Sequence, residues 1–167
     1  MTKFVKIAAV AAALLGTAPA FAATSVTGTA PSATARIIKP LTLTATGSLN
    51  FGTIVMNNVT ANRTVTVNPD GSITCAAELV CDTTGSFVTY NVTGTNGQTV
   101  NIIKNTSTLT GSNTGSLTLT PVGANSVVLV NSGAPGKDFP IGGSIVIAPT
   151  TIDGVYTGTV DVQVDYN

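Results

Sequence analysis

Two cysteines, Cys75 and Cys81, are the only side chains in this 167-residue sequence whose type and spacing commit to a covalent reaction. Only Ala76 to Val80 separate them, and the chain holds no histidine to complete a metal site. In an exported protein such a pair reads as a disulfide. Closing so small a loop stabilises by roughly 2 kcal/mol on the chain-entropy account. A redox-active pair would need a tighter spacing and an activating neighbour, whereas Glu78 beside it would raise a thiol pKa. The carboxylates offer less. Asp70, Asp82 and Asp153 come nearest to a calcium-type set, but no EF-hand or repeat spacing joins them. Asp161 and Asp165 alternate along what reads as a solvated strand face. With no histidine for a triad, no paired glutamates and no glycine-rich loop opening a helix, neither catalysis nor a cofactor is expected.

The elements that would position these groups are strands. Thr, Val, Gly, Asn and Ser dominate, Trp is absent and charged residues make up 8% of the chain. Strand formers and turn formers are therefore plentiful, and the charged helix formers are scarce. The expected class is all-β. The first 22 residues read as a signal peptide: Lys3 and Lys6 precede an apolar run, Ile7 to Gly16, too short to span a bilayer, and Ala20-Phe21-Ala22 is a small-x-small cleavage site. Export through the periplasm to the cell surface or medium is the expectation, with no membrane span after cleavage. Removing Lys3 and Lys6 leaves five basic residues against seven acidic, too few to grip nucleic acid. Residues 23–39 then form an N-terminal extension, and 40–167 a single domain.

Alternation and turn signals divide that domain into eight or so short strands, the pattern of a β-sandwich. Leu41, Leu43 and Ala45 alternate, and Leu49 and Phe51 share a face. Val65 and Val67 point inward before Asn68-Pro69-Asp70-Gly71, a strong β-turn signal. Val88, Tyr90 and Val92 share a face ahead of Asn96-Gly97, which predicts a hairpin with Val100 and Ile102 on the return strand. Leu117 and Leu119 point one way up to Pro121, Asn131 to Pro140 reads as a loop, and Ile141 to Ala148 as a strand with a glycine kink. Residues 154–167 predict one continuous terminal strand. Tyr156, Gly158, Val160, Val162, Val164 and Tyr166 lie on its apolar face, and nothing follows in sequence to cover them.

Leu49-Asn50-Phe51-Gly52-Thr53-Ile54, together with Gly154-Val155-Tyr156-Thr157-Gly158-Thr159-Val160 and a terminal Val-x-Val-x-Tyr strand, resembles a bacterial secreted family known as domain of unknown function 4402. The pairing is also similar to spore-coat-U and archaic chaperone–usher pilin subunits. Those pilins place a cysteine near the start of the first domain strand, where this chain has Leu41-Thr42-Leu43. The resemblance implies an immunoglobulin-like antiparallel sandwich, incomplete by its last strand. It further implies filling of the vacant place by a periplasmic chaperone, then, at an outer-membrane usher, by the extension of the next subunit as the chains self-associate into a filament. The acceptor would be the face carrying Tyr156, Val160, Val162, Val164 and Tyr166. The donor would be Thr24 to Lys39, with Val26, Ala33, Ala35 and Ile37 as pocket residues. Three readings compete: a pilus or fimbria-like subunit, a closed sandwich that binds a glycan or surface protein, and an enzyme. If Ala33 to Ile38 pairs within its own domain, the second holds. The scarcity of aromatics counts against a stacking platform for glycans, and the lack of paired carboxylates counts against the third.

Overall fold

A computed structural model of the protein describes Thr24 and residues 27–167. The expected signal peptide, residues 1–22, and the candidate donor residue Val26 lie outside the described residues. Residues up to Arg36 form one unit, and Ile37–Asn167 form the folded domain. That domain is all-β and antiparallel, with no helix among the described residues. It holds thirteen strands in three sheets, more and shorter than the alternation suggested.

The largest sheet is built on β11, Lys137–Ile147. One edge of β11 pairs first with β6, Val88–Thr93, and then with β3, Arg63–Val67, while the other pairs with β9, Ser116–Gly123. The change of partner happens at Gly142-Gly143, where a Cβ on Gly142 would lie 2.0 Å from the carbonyl oxygen of Val67. The glycine kink is thus the place where two strands share one edge. The sheet continues from β6 to β1, Thr42–Thr46, and from β9 through β8, Ser107–Gly111, to β12, Tyr156–Thr157. β3 also pairs with β4, Ile73–Cys75.

The second sheet is β10, Ser126–Val128, then β7, Thr99–Asn105, then β13, Asp161–Tyr166. A two-stranded ribbon joins β2, Ile54–Met56, to β5, Leu79–Cys81. Asn96-Gly97 therefore does not make the expected hairpin. Gly97 does take φ 73°, but the turn carries the chain from β6 in one sheet to β7 in the other. Nor does the loop reading of residues 131–140 hold throughout, because β11 begins at Lys137 and runs through Pro140.

The core between the sheets has two parts. The first holds Val88, Tyr90, Val92, Val100, Ile102, Leu129, Phe139 and Ile141, with the rings of Tyr90 and Phe139 stacked at 5.6 Å. The second holds Val65, Leu79, Leu109, Leu117, Leu119, Ile145 and Ile147. These are the inward positions of period-two strands, and their packing is the dominant favourable term of the fold.

Candidate functional site

The terminal segment predicted as one strand is two. β12 pairs with β8 in the large sheet, the chain crosses over Gly158–Val160, and β13 pairs with β7 in the other sheet. At the crossing Gly158 lies so close to β8 that a Cβ there would be 2.6 Å from the carbonyl oxygen of Thr108. The crossing divides the expected acceptor residues. Val162, Val164 and Tyr166 pack against the first core cluster. Tyr156 packs against the second, and Val160 touches both.

Beside the crossing is a groove of about 1080 Å³. Its floor is the second core cluster, through the buried side chains of Leu109, Leu117, Leu119 and Ile145. One wall is the segment 151–160, with Tyr156 and Val160. The Tyr156 hydroxyl donates to the carbonyl of Ile152 at 2.6 Å and fixes that wall. The opposite wall is the strap from Ala45 to Met56, which contributes Leu49, Phe51 and Ile54. Three neighbouring strands end their sheets. Among the described residues β1 pairs only with β6, β12 only with β8, and β13 only with β7. Ala45 of β1 and Tyr156 and Thr157 of β12 line the trough, so two strands with an open edge border it.

The candidate donor residues Ala33, Ala35 and Ile37 precede the first strand. Residues 27–41 take no strand conformation, Ala33 and Ala35 are exposed, and Ile37 is 90% exposed.

Cys75 and Cys81 form the expected disulfide. The loop they close presents Glu78, whose carboxylate accepts two hydrogen bonds from the Arg63 guanidinium, at 2.7 and 3.1 Å, and one from the Thr60 amide. The Arg63 bonds, with help from Thr60, hold the Glu78 carboxyl below its ordinary pKa. Asp82 accepts from the Thr53 amide at 2.7 Å, and Asp70 accepts from the amide and hydroxyl of Ser72, which lower its pKa. These carboxylates serve turns. No group of three metal-ligating side chains occurs among the described residues. Burial, reinforced by Asp161, pushes the Tyr90 phenol up, and its hydroxyl donates to the carbonyl of Val160 at 3.3 Å beside the groove.

Sequence reasoning found the Tyr156 wall and missed the opposite one. Leu49 and Phe51 were legible as one face, but bonds to residues distant in sequence, Asn50 with Ser86 and Thr53 with Asp82, place that face across from Tyr156. Comparison with curated proteins finds no match, and comparison with solved structures finds none. Residues 41–166, which include both walls and the floor of the groove, match the family model described as a domain of unknown function (DUF4402), and the chain belongs to that family.

Proposed function

We propose that this protein is a structural subunit of a bacterial surface pilus or fimbria-like filament, assembled by donor-strand exchange and serving adhesion or biofilm cohesion. The observation that carries this reading is the apolar groove lined by Leu49, Phe51, Tyr156 and Val160 and bordered by strand ends that lack partners. An immunoglobulin-like sandwich short of one strand would have such a groove. The acceptor is then the Tyr156–Val160 wall with the strap opposite, and Val162, Val164 and Tyr166 act as the core that supports it. The donor is the Thr24 to Lys39 segment of a second copy, with Ile37, 90% exposed, as its most exposed large apolar side chain among the described residues. Burying two such side chains would contribute roughly 3 to 6 kcal/mol before backbone pairing is counted. Before assembly, a periplasmic chaperone would cover the groove, and an outer-membrane usher would be the site of exchange.

The test compares surface material from cells making the full chain with material from cells making a deletion of Ala23 to Ile38. Unboiled gels and negative-stain microscopy should show heat-labile multimers and thin filaments for the full chain and neither for the deletion, with export unchanged. A monomer in both cases overturns the reading and leaves a self-contained secreted binding sandwich.

A further inference from the structure

The far end of the strap, residues 53–57, is held by a single stretch of chain, whereas its middle is fixed by backbone pairing of Asn50 with Ser86 and by the Ser86 hydroxyl, which donates to the Ser48 carbonyl at 2.7 Å. β2 pairs only with β5, in the register Ile54 with Cys81, Val55 with Val80 and Met56 with Leu79. Just outside this ribbon the Asn57 amide donates to the Glu78 carbonyl, the Asp82 amide donates to the Thr53 carbonyl, and the Thr53 amide donates to the Asp82 carboxylate. Every one of these partners lies between Glu78 and Asp82. The outer face of the ribbon contributes little, since Val55 and Val80 are 53% and 60% exposed. Of the ribbon's side chains, Ile54, Leu79 and Cys81 pack on the core.

The stretch 78–82 is in turn tied back by two tethers. The disulfide joins Cys81 to Cys75 in β4, which pairs with β3 and so with the central sheet. The ion pair joins Glu78 to Arg63 at the start of β3. Between them Glu78 is kept at φ 71°, a left-handed conformation that a residue with a Cβ adopts only where its surroundings over-determine it. The covalent tether is the one a reductant can cut.

We propose that the Cys75–Cys81 disulfide is a latch for the strap end 53–57, so that its reduction by a dithiol loosens that end of one wall of the apolar groove. A thiolate of the dithiol attacks one sulfur and expels the other as a thiolate. The second thiol of the reagent then closes its own ring, so Cys75 and Cys81 gain two electrons and two protons while the dithiol becomes a cyclic disulfide. The consequence for assembly rests on the filament reading, but the latch itself does not.

Hydrogen exchange read by mass spectrometry on the full mature chain tests it, comparing the oxidised protein with the dithiothreitol-reduced protein and with a Cys75→Ser/Cys81→Ser variant. Amides of residues 53–57 should exchange about tenfold faster or more in both altered forms, with those of β6 and β11 unchanged. Unchanged exchange at 53–57 overturns the latch, and so does equal acceleration through β6 and β11, which would make the disulfide a staple of the whole domain. A synthetic peptide of residues 24–39 added to the oxidised chain separates the two ideas. If it fails to protect the groove, the filament reading falls, whereas the latch stands or falls on strap exchange alone.

Discussion

The hydroxyl of Tyr166 donates to the carbonyl oxygen of Lys39 at 2.6 Å, joining the last strand to the segment just before the first, 127 positions earlier. The same hydroxyl accepts from the Thr95 amide at 2.9 Å, and the Lys39 amide donates to the Thr95 hydroxyl at 2.7 Å. Three segments therefore meet at one phenol. Tyr166→Phe keeps the ring and removes both bonds, so it should destabilise the domain by about 1–2 kcal/mol in urea unfolding. An unchanged midpoint would show that solvent replaces the network without loss.

Phe139 is 2% exposed and stacks on Tyr90 at the centre of the first core cluster. Phe139→Ala leaves a cavity there, and a loss of about 3–5 kcal/mol is expected by the same assay. A loss under about 1 kcal/mol would mean that residues 137–141 are not the strand described.

Glu78 carries its contribution through its charge. Its carboxyl titrates below the ordinary glutamate range because Arg63, and then Thr60, bond to the ionised form. A folded-state pKa depressed below the unfolded value contributes stability above the unfolded pKa that is lost as pH falls through the folded one. Wild type should therefore exceed Glu78→Gln in urea midpoint at pH 7, and the gap should close as the pH is taken well into the acid range. A gap independent of pH would assign the difference to packing.

Gly142→Ala places a methyl against the backbone of Val67, where nothing can rotate away. A loss of about 3 kcal/mol or failure to accumulate is expected, measured as soluble yield and unfolding midpoint. Gly97→Ala at an open turn should cost less, since nothing lies within 4 Å of the added carbon and only the φ of 73° is strained.

What the sequence makes legible is local. Val65, Val67, Val88, Tyr90, Val92, Val100, Ile102, Leu117 and Leu119 are all buried, and period-two alternation identifies each of them. The Asn68–Gly71 turn forms where its residues predict, with the Gly71 amide donating to the Asn68 carbonyl. Partnership between distant strands is not legible in this way. Asn-Gly specifies a tight positive-φ turn whether the next strand pairs alongside or departs to another sheet, so Asn96-Gly97 read as a hairpin. Pro135, Gly136 and Pro140 suggested a loop where Phe139 anchors the longest strand, because the Pro140 position in β11 tolerates the loss of one amide donor. The terminal alternation runs unbroken from Tyr156 to Tyr166 although the chain changes sheet between them, since side-chain parity carries no mark of a change of partner. The strap was hidden for a related reason: its place depends on hydrogen bonds to residues 78–82 and to Ser86, which no local pattern encodes.

The central claim is that the groove beside Tyr156 receives the N-terminal segment of another copy. The most direct measurement replaces Ile37 with a photo-crosslinking phenylalanine analogue in the full chain, irradiates surface-assembled material and maps the crosslinks by mass spectrometry, using isotope-mixed subunits to tell partners apart. The account predicts crosslinks between different molecules, landing on the strap around Leu49 to Met56 and on the wall from Tyr156 to Val160. Crosslinks confined within one molecule, or none to either wall, would contradict it.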